Sequence, residues 1–224
     1  MKKFELTAES KINWFGRTLY RIKACIDFTT ASGYEVKAGD LGGFVEKESN
    51  LSHNGKAWVW GNAEVYGNAK VWDNAEVWDN AEVYGEATVC GNAKVWDNAK
   101  VCGDASIFST KHIFCVTPIG QYASSLTVFR TKNRELKISF EFKTYEIEKF
   151  RKAIHDSWNE EYMCIAEGAI SLAKQHIDLT SEKSFKDCPF CGGKAEYNVD
   201  SEVVICTECG STAKEEIWNN RCDG

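Results

Sequence analysis

Four of the ten cysteines fall into two Cys-x-x-Cys pairs, Cys188 with Cys191 and Cys206 with Cys209. A Cys-x-x-Cys turn brings two thiolates to one side of a metal, and the glycine that follows each pair, Gly192 or Gly210, permits the tight bend. Two such turns close a tetrahedral shell of four thiolates with no open position, which is the chemistry of a structural Zn2+. Residues Lys194 to Ile205 between the pairs can form the hairpin of a zinc ribbon. An iron site of rubredoxin type uses the same donors and is the competing reading. With four cysteines placed this way, the others do not argue for a disulfide scaffold. Cys25, Cys90, Cys102, Cys115 and Cys164 lie among apolar neighbours and are expected to be reduced packing residues. Cys222 stands near the end as a free thiol.

The elements that must carry any other chemistry are set by nine uninterrupted hexads from Ala57 to Thr110, each reading Ala-x-Val/Ile-x-x-x. A fixed six-residue period with two small or aliphatic positions per unit predicts a parallel, left-handed β-helix in which three hexads close one triangular coil. Positions 1 and 3 point into the narrow interior and positions 2 and 4 point out. Position 5 is Gly or Asp in eight hexads, which suits a corner of unusual backbone angles. A shift of 18 residues brings like faces together. The fourth positions then stack as Trp60, Trp78 and Trp96 on one face, Tyr66, Tyr84 and Cys102 on the next, and Trp72, Cys90 and Phe108 on the third. Glu76 falls beside Lys94, and Glu82 beside Lys100, as charge pairs between coils. Three outward aromatic columns make more apolar surface than a soluble monomer leaves bare. A homo-oligomer, most simply a trimer of flat faces, is the expected cover, with the chain's own C-terminal helices or a ligand as the alternatives.

The division that follows is mainly β: a cap over residues 1–44, the β-helix over 45–110, a small α+β unit over 111–180 and the zinc ribbon over 181–224. Phe4 to Thr7 and Leu19 to Ile26 have strand character around a turn at Asn13 to Gly16. Ser125 to Thr131 and Glu135 to Phe142 alternate as a hairpin. Thr144 is placed to cap a helix whose face carries Ile147, Phe150, Ile154 and Trp158. A second helix is expected from Glu161 to Ile177 with Ile165, Ala169, Leu172 and Ile177 apolar. Leu179 to Lys186 reads as a linker. Net charge is −6, with −5 over the hexads, −4 over 181–224, and +2 and +1 over 1–56 and 111–180. Acidic surfaces of this kind repel phosphate backbones, so non-specific DNA binding is not expected. No apolar run approaches the roughly 18 residues of a membrane span. The start, Met1-Lys2-Lys3-Phe4-Glu5, lacks a signal-peptide core, and a cytoplasmic location is expected.

The two Cys-x-x-Cys knuckles, followed by Glu215-Glu216-Ile217-Trp218-Asn219-Asn220-Arg221, resemble the Lar restriction-alleviation family of phages and prophages, over about 40 residues. That resemblance implies a role in protecting incoming DNA from host restriction and brings no active site. The run Lys37-Ala38-Gly39-Asp40-Leu41-Gly42-Gly43-Phe44-Val45, with the hexads behind it, looks like the hexapeptide-repeat proteins of phages and bacteria. Acyltransferases of that fold use a His as general base in a cleft between subunits, with loops inserted into the coils. Here no hexad holds a His and no loop interrupts them. His53 and His112 flank the repeats as structural residues, and His155 and His176 fall on the expected helices. No Ser-His-Asp set, phosphate loop or paired-acid constellation is legible. The expectation is a non-enzymatic phage or prophage protein that blunts a host defence by occupying one of its proteins. A trap for a small nucleotide, using aromatic rings for bases and Arg130, Lys132 and Arg134 for phosphates, is the first alternative. An acyltransferase and a structural or assembly protein are the others.

Overall fold

The chain opens with an antiparallel hairpin, β1 (Phe4–Ile12) and β2 (Thr18–Ala24). Asn13 sets its turn, because the Asn13 side-chain oxygen accepts from the backbone N–H of both Phe15 and Arg17 at 3.0 Å. A short second hairpin, β3 (Phe28–Thr29) and β4 (Glu35–Val36), follows, and then β5 (Leu41–Val45). The computed structural model describes residues 2–120, 122–155, 158–180, 195–198, 203–206 and 209–213. It divides into two compact units, Met1–Thr180 and Ser181–Gly224.

β5 is the switch between two ways of pairing: it runs antiparallel to β2 on one side and parallel to the first coil on the other. From there the hexads give nine two-residue strands, β6 (Trp58–Val59) to β14 (Ser106–Ile107), one per hexad. They stack with the expected 18-residue register, Glu64 on Glu82 on Lys100 and Lys70 on Thr88 on Ser106. One face carries β5, β7 (Glu64–Val65), β10 (Glu82–Val83) and β13 (Lys100–Val101), so the parallel β-solenoid has about four turns. The other two faces hold β6, β9 (Glu76–Val77) and β12 (Lys94–Val95), and β8 (Lys70–Val71), β11 (Thr88–Val89) and β14. Every first-position Ala and third-position Val or Ile is buried. Each buried Val contributes about 1.5–3 kcal/mol, and the facing alanines leave room for it in a coil too narrow for larger groups. All eight Gly or Asp corners, from Gly61 to Gly103, adopt the left-handed region, with φ from 56° to 72°.

Below the last coil, β15 (Ile113–Ile119), β16 (Ser124–Arg130), β17 (Leu136–Phe140) and β18 (Lys143–Glu146) form an antiparallel sheet. It closes the solenoid through Lys100 N–H to Thr127 Oγ1 (3.0 Å), Ser125 Oγ to the Asn98 carbonyl (2.6 Å) and Lys132 N–H to the Asp104 carbonyl (3.0 Å). Phe129 enters the solenoid core from this sheet. Helices α1 (Ile147–His155) and α2 (Glu160–His176) cover its other side. The expected hairpin is present with two further strands around it. Thr144 is not a helix cap, because the tight Glu141–Phe142 turn sends the chain back as β18 before the helix starts. The apolar face of α2 is also rotated from expectation. Ala166, Ala169, Ile170 and Ala173 are buried, while Ile165, Leu172 and Cys164 are exposed.

His112 is fully buried, with its ring edge-on to Phe108 at 4.1 Å and its Nδ1 accepting from the Phe108 N–H at 3.3 Å. Burial first, and then the Arg130 guanidinium, pushes it down from 6.5 to about 4, while Asp178 pulls it the other way. The unfolded chain takes up this proton near 6.5 and the folded chain near 4, so the stability it contributes is full above the first value. It is lost as pH falls through that window. Acid is expected to cost about 3 kcal/mol here. Denaturant titrations of wild type and His112→Gln at pH 7 and pH 4 check it, with the smaller pH effect in the variant.

In the second unit, β19 (Ala195–Asn198), β20 (Val203–Cys206) and β21 (Thr212–Ala213) form an antiparallel sheet. Among the described residues no helix is long and apolar enough to cross a membrane.

Candidate ligand groove on the tyrosine face

Two of the aromatic columns meet rings from this chain's own loops, Phe15 on the tyrosine column and Tyr34 on the tryptophan column. Tyr66 and Tyr84 stack in parallel with centroids 5.0 Å apart. The Phe15 ring at the β1–β2 turn leans over both, at 6.2 and 6.0 Å with a 41° tilt. Tyr66 is only 3% exposed, and its hydroxyl donates to Glu82 Oε2 at 2.9 Å. Burial and that carboxylate push its ionisation far above the ordinary range. Tyr84 is raised as well, by burial and then by Cys102. Cys102 lies where a third ring would stand, with its Sγ 3.0 Å from Thr144 Oγ1.

On the tryptophan face, Trp60 and Trp78 stack at 4.4 Å, and Tyr34 sets its edge against them at 5.9 and 5.0 Å. Glu76 is fully buried here. It accepts from the Ser32 hydroxyl, from Ser32 N–H at 3.2 Å and from Trp60 Nε1 at 3.2 Å. The β3–β4 loop, a contributor that hexad spacing could not reveal, thus engages Glu76 although Lys94 is its neighbour in register. The other expected pair forms, Lys100 Nζ to Glu82 at 2.7 Å. Trp96, at the lower end of this column, is 59% exposed. On the third face Trp72 and Cys90 are buried, and Phe108 sits under Arg130.

Arg130 does not join Lys132 and Arg134 in an exposed basic cluster. Its side chain turns inward, 4% exposed, onto the Ser106 carbonyl (3.5 Å) and the Phe108 ring (5.0 Å), while the other two occupy the exposed β16–β17 turn. His53 stacks on Phe4 at 4.3 Å, and its Nδ1 accepts from Lys3 N–H at 3.3 Å, so each flanking His is engaged at its own end of the solenoid. Cys206, buried at the end of β20, receives the Cys209 N–H on its sulfur at 3.4 Å, and Gly210 has φ +72°. Cys188 and Cys191 lie outside the described residues.

The tyrosine face also holds a groove of about 600 Å3, lined by Phe15, Arg17, Glu46, Lys47, Tyr66, Gly67, Asn68, Tyr84, Gly85 and Glu86. Arg17 is held by both oxygens of Glu46 (2.8 and 3.0 Å), and Glu46 Oε2 also accepts from Gly67 N–H at 2.6 Å. Lys47 Nζ donates to Asn68 Oδ1 at 3.2 Å, and Asn68 Nδ2 donates to Glu86 Oε1 at 2.7 Å. A polar rail therefore runs beside the stacked rings, with a cation at one end and a carboxylate at the other. No protein-family model matches this chain, and no curated protein matches it.

Of the groove residues, only the two tyrosines stand out from hexad spacing. One signal was available: this corner column is Gly67, Gly85, Gly103, whereas the other two columns carry aspartates. The same column replaces the usual sixth-position Asn with Glu86.

Proposed function

We propose that this chain is a non-enzymatic binding protein of phage or prophage origin that blunts a host defence by occupying one of its components in the cytoplasm. The observation that carries the binding part is the groove. Its floor is solenoid, but its rim is built by the hairpin turn at Phe15–Arg17 and by Glu46 and Lys47, residues outside the repeat. The counter-defence part rests on the two resemblances, to hexapeptide-repeat phage proteins and to the Lar family. An acyltransferase reading is weakened by His53 and His112, which are packed at the solenoid ends and do not line the groove.

Two further parts belong to this proposal. The knuckle at Cys206 and Cys209, with its N–H to sulfur bond and left-handed glycine, supports a zinc ribbon completed by Cys188 and Cys191. Exposed Trp96 supports a trimer packed on the tryptophan face of a left-handed helix, to be checked by the molecular mass in solution.

Phage plating on cells that carry individual defence systems, with and without the expressed chain, tests the function. Plating is expected to rise for at least one system. Protection that survives removal of residues 181–224 assigns it to the solenoid unit, and loss on that truncation assigns it to the ribbon. No protection in any system, with acetyl-coenzyme A binding by the full chain, would restore the enzyme.

A further inference from the structure

In each of two corner columns one fifth-position N–H is met by an aspartate from the coil above. Gly91 N–H donates to Asp73 Oδ2 at 3.1 Å, and Asp97 N–H to Asp79 Oδ2 at 3.4 Å. At the head of the third column, Gly67 N–H is likewise met by a carboxylate oxygen, Glu46 Oε2 at 2.6 Å. One coil further down the pattern breaks. Residue 67 is glycine, so no carboxylate hangs over Gly85 N–H, and among the described residues this N–H makes no hydrogen bond. Three corner N–H groups thus hold an anionic oxygen. Those of Asp79, Gly85 and Gly103, each one coil below a glycine, make no hydrogen bond among the described residues, and of these Gly85 lines the groove.

The neighbours define what that is. Lys47 is bonded to the neutral Asn68 amide and, among the described residues, to no carboxylate, so its charge is available in the groove that Gly85 lines. The Phe15 ring, 47% exposed, offers π surface, with the half-buried Tyr84 beneath it. Glu86 adds an acceptor for N–H groups at the far end of the rail. A volume of about 600 Å3 lies in the range of small-molecule and cofactor sites and exceeds what a single amino acid fills. We propose that the groove is a nucleotide site, with a phosphate oxygen on Gly85 N–H beside Lys47, the base against Phe15 and Tyr84, and base N–H groups toward Glu86. This rests on the groove being the binding surface and names its ligand class. It also moves the phosphate contacts away from the β16–β17 turn.

Calorimetric titration of the full chain with AMP, GMP and UMP, each against its nucleoside, is the test. At least one monophosphate is expected to bind about tenfold or more tightly than its nucleoside, the difference one charge-assisted contact supplies. Gly67→Asp places a carboxylate over Gly85 N–H, as Asp73 does over Gly91, and should reduce that monophosphate to the level of its nucleoside. Gly67→Asn, equally bulky and neutral, should retain more of the preference. Lys47→Ala should weaken the monophosphate about tenfold and serves if the Gly67 variants do not fold. No binding of any of the three nucleotides, or binding indifferent to both Gly67→Asp and Lys47→Ala, overturns the proposal. Phage protection without nucleotide binding would leave the counter-defence reading standing and remove this one. Nucleotide binding without protection would do the reverse.

Discussion

Replacing Gly43 by alanine is expected to destabilise the solenoid unit by about 3 kcal/mol, and replacing Gly42 by a similar amount. β5 passes so close to the first coil that a Cβ on Gly43 would stand 2.7 Å from the Ala63 carbonyl oxygen and 2.7 Å from Val59 Cγ1. A Cβ on Gly42 would stand 2.6 Å from the Val59 carbonyl oxygen and 2.6 Å from Ile22 Cγ1. Backbone carbonyls cannot swing aside as a flexible side chain would. Either β5 lifts from the coil, breaking Phe44 N–H to the Ala63 carbonyl (2.9 Å), or the coil itself shifts. A fall of about 10 °C in melting temperature is the measurable form. Gly168→Ala is the matched control, since a Cβ there in the middle of α2 meets nothing within 4 Å. Alanine should stabilise that helix by up to about 1 kcal/mol. Equal melting temperatures for Gly43→Ala and wild type would mean that β5 is not seated on the coil as described.

The second large effect concerns metal. One zinc per chain is expected in protein purified without added metal, and Cys206→Ser is expected to abolish its retention and unfold residues 181–224. The mechanism is local. Among the described residues the small core around Val204 and Cys206 contains few buried side chains, so a zinc bound as proposed would supply most of the folding energy of this sheet. The solenoid unit has its own core and should keep its melting transition. Elemental analysis and thermal melts of both proteins decide it. Iron in place of zinc, or a folded tail without metal, would remove the zinc assignment.

The hexads were legible because the period constrains every coil at once. The first- and third-position residues from Ala57 to Ile107 had to face inward, and the same arithmetic gave the stacking partners and corners of unusual backbone angles. What escaped lies where non-repeating chain meets the repeat. Phe15 is brought over Tyr66 and Tyr84 by a turn about 50 residues earlier, and Ser32 reaches Glu76 from the β3–β4 loop. Neither contact leaves a mark in local spacing. Arg130 differs from expectation for a related reason: strand alternation does not say which face of β16 looks into the solenoid end, and there an arginine can lay its guanidinium over Phe108. Thr144 looked like a cap because the Glu141–Phe142 turn has none of the usual turn residues.

The pairing of β5 with β2 has a consequence for solubility. A stack of parallel coils with bare ends is a template for fibre growth, since each end offers a row of unused backbone donors and acceptors. Here the upper end is blunted three times over. β2 turns the sheet antiparallel, and Lys3 lays its ammonium on the Ala57 carbonyl at 2.9 Å, where an incoming strand would dock. The outermost strand, β1, carries a register break between Leu6 and Ser10 and the ion-paired Glu5, Glu9 and Lys11. An irregular, charged edge is a poor seed for cross-β addition. Strand addition at the upper end of the solenoid is thereby disfavoured.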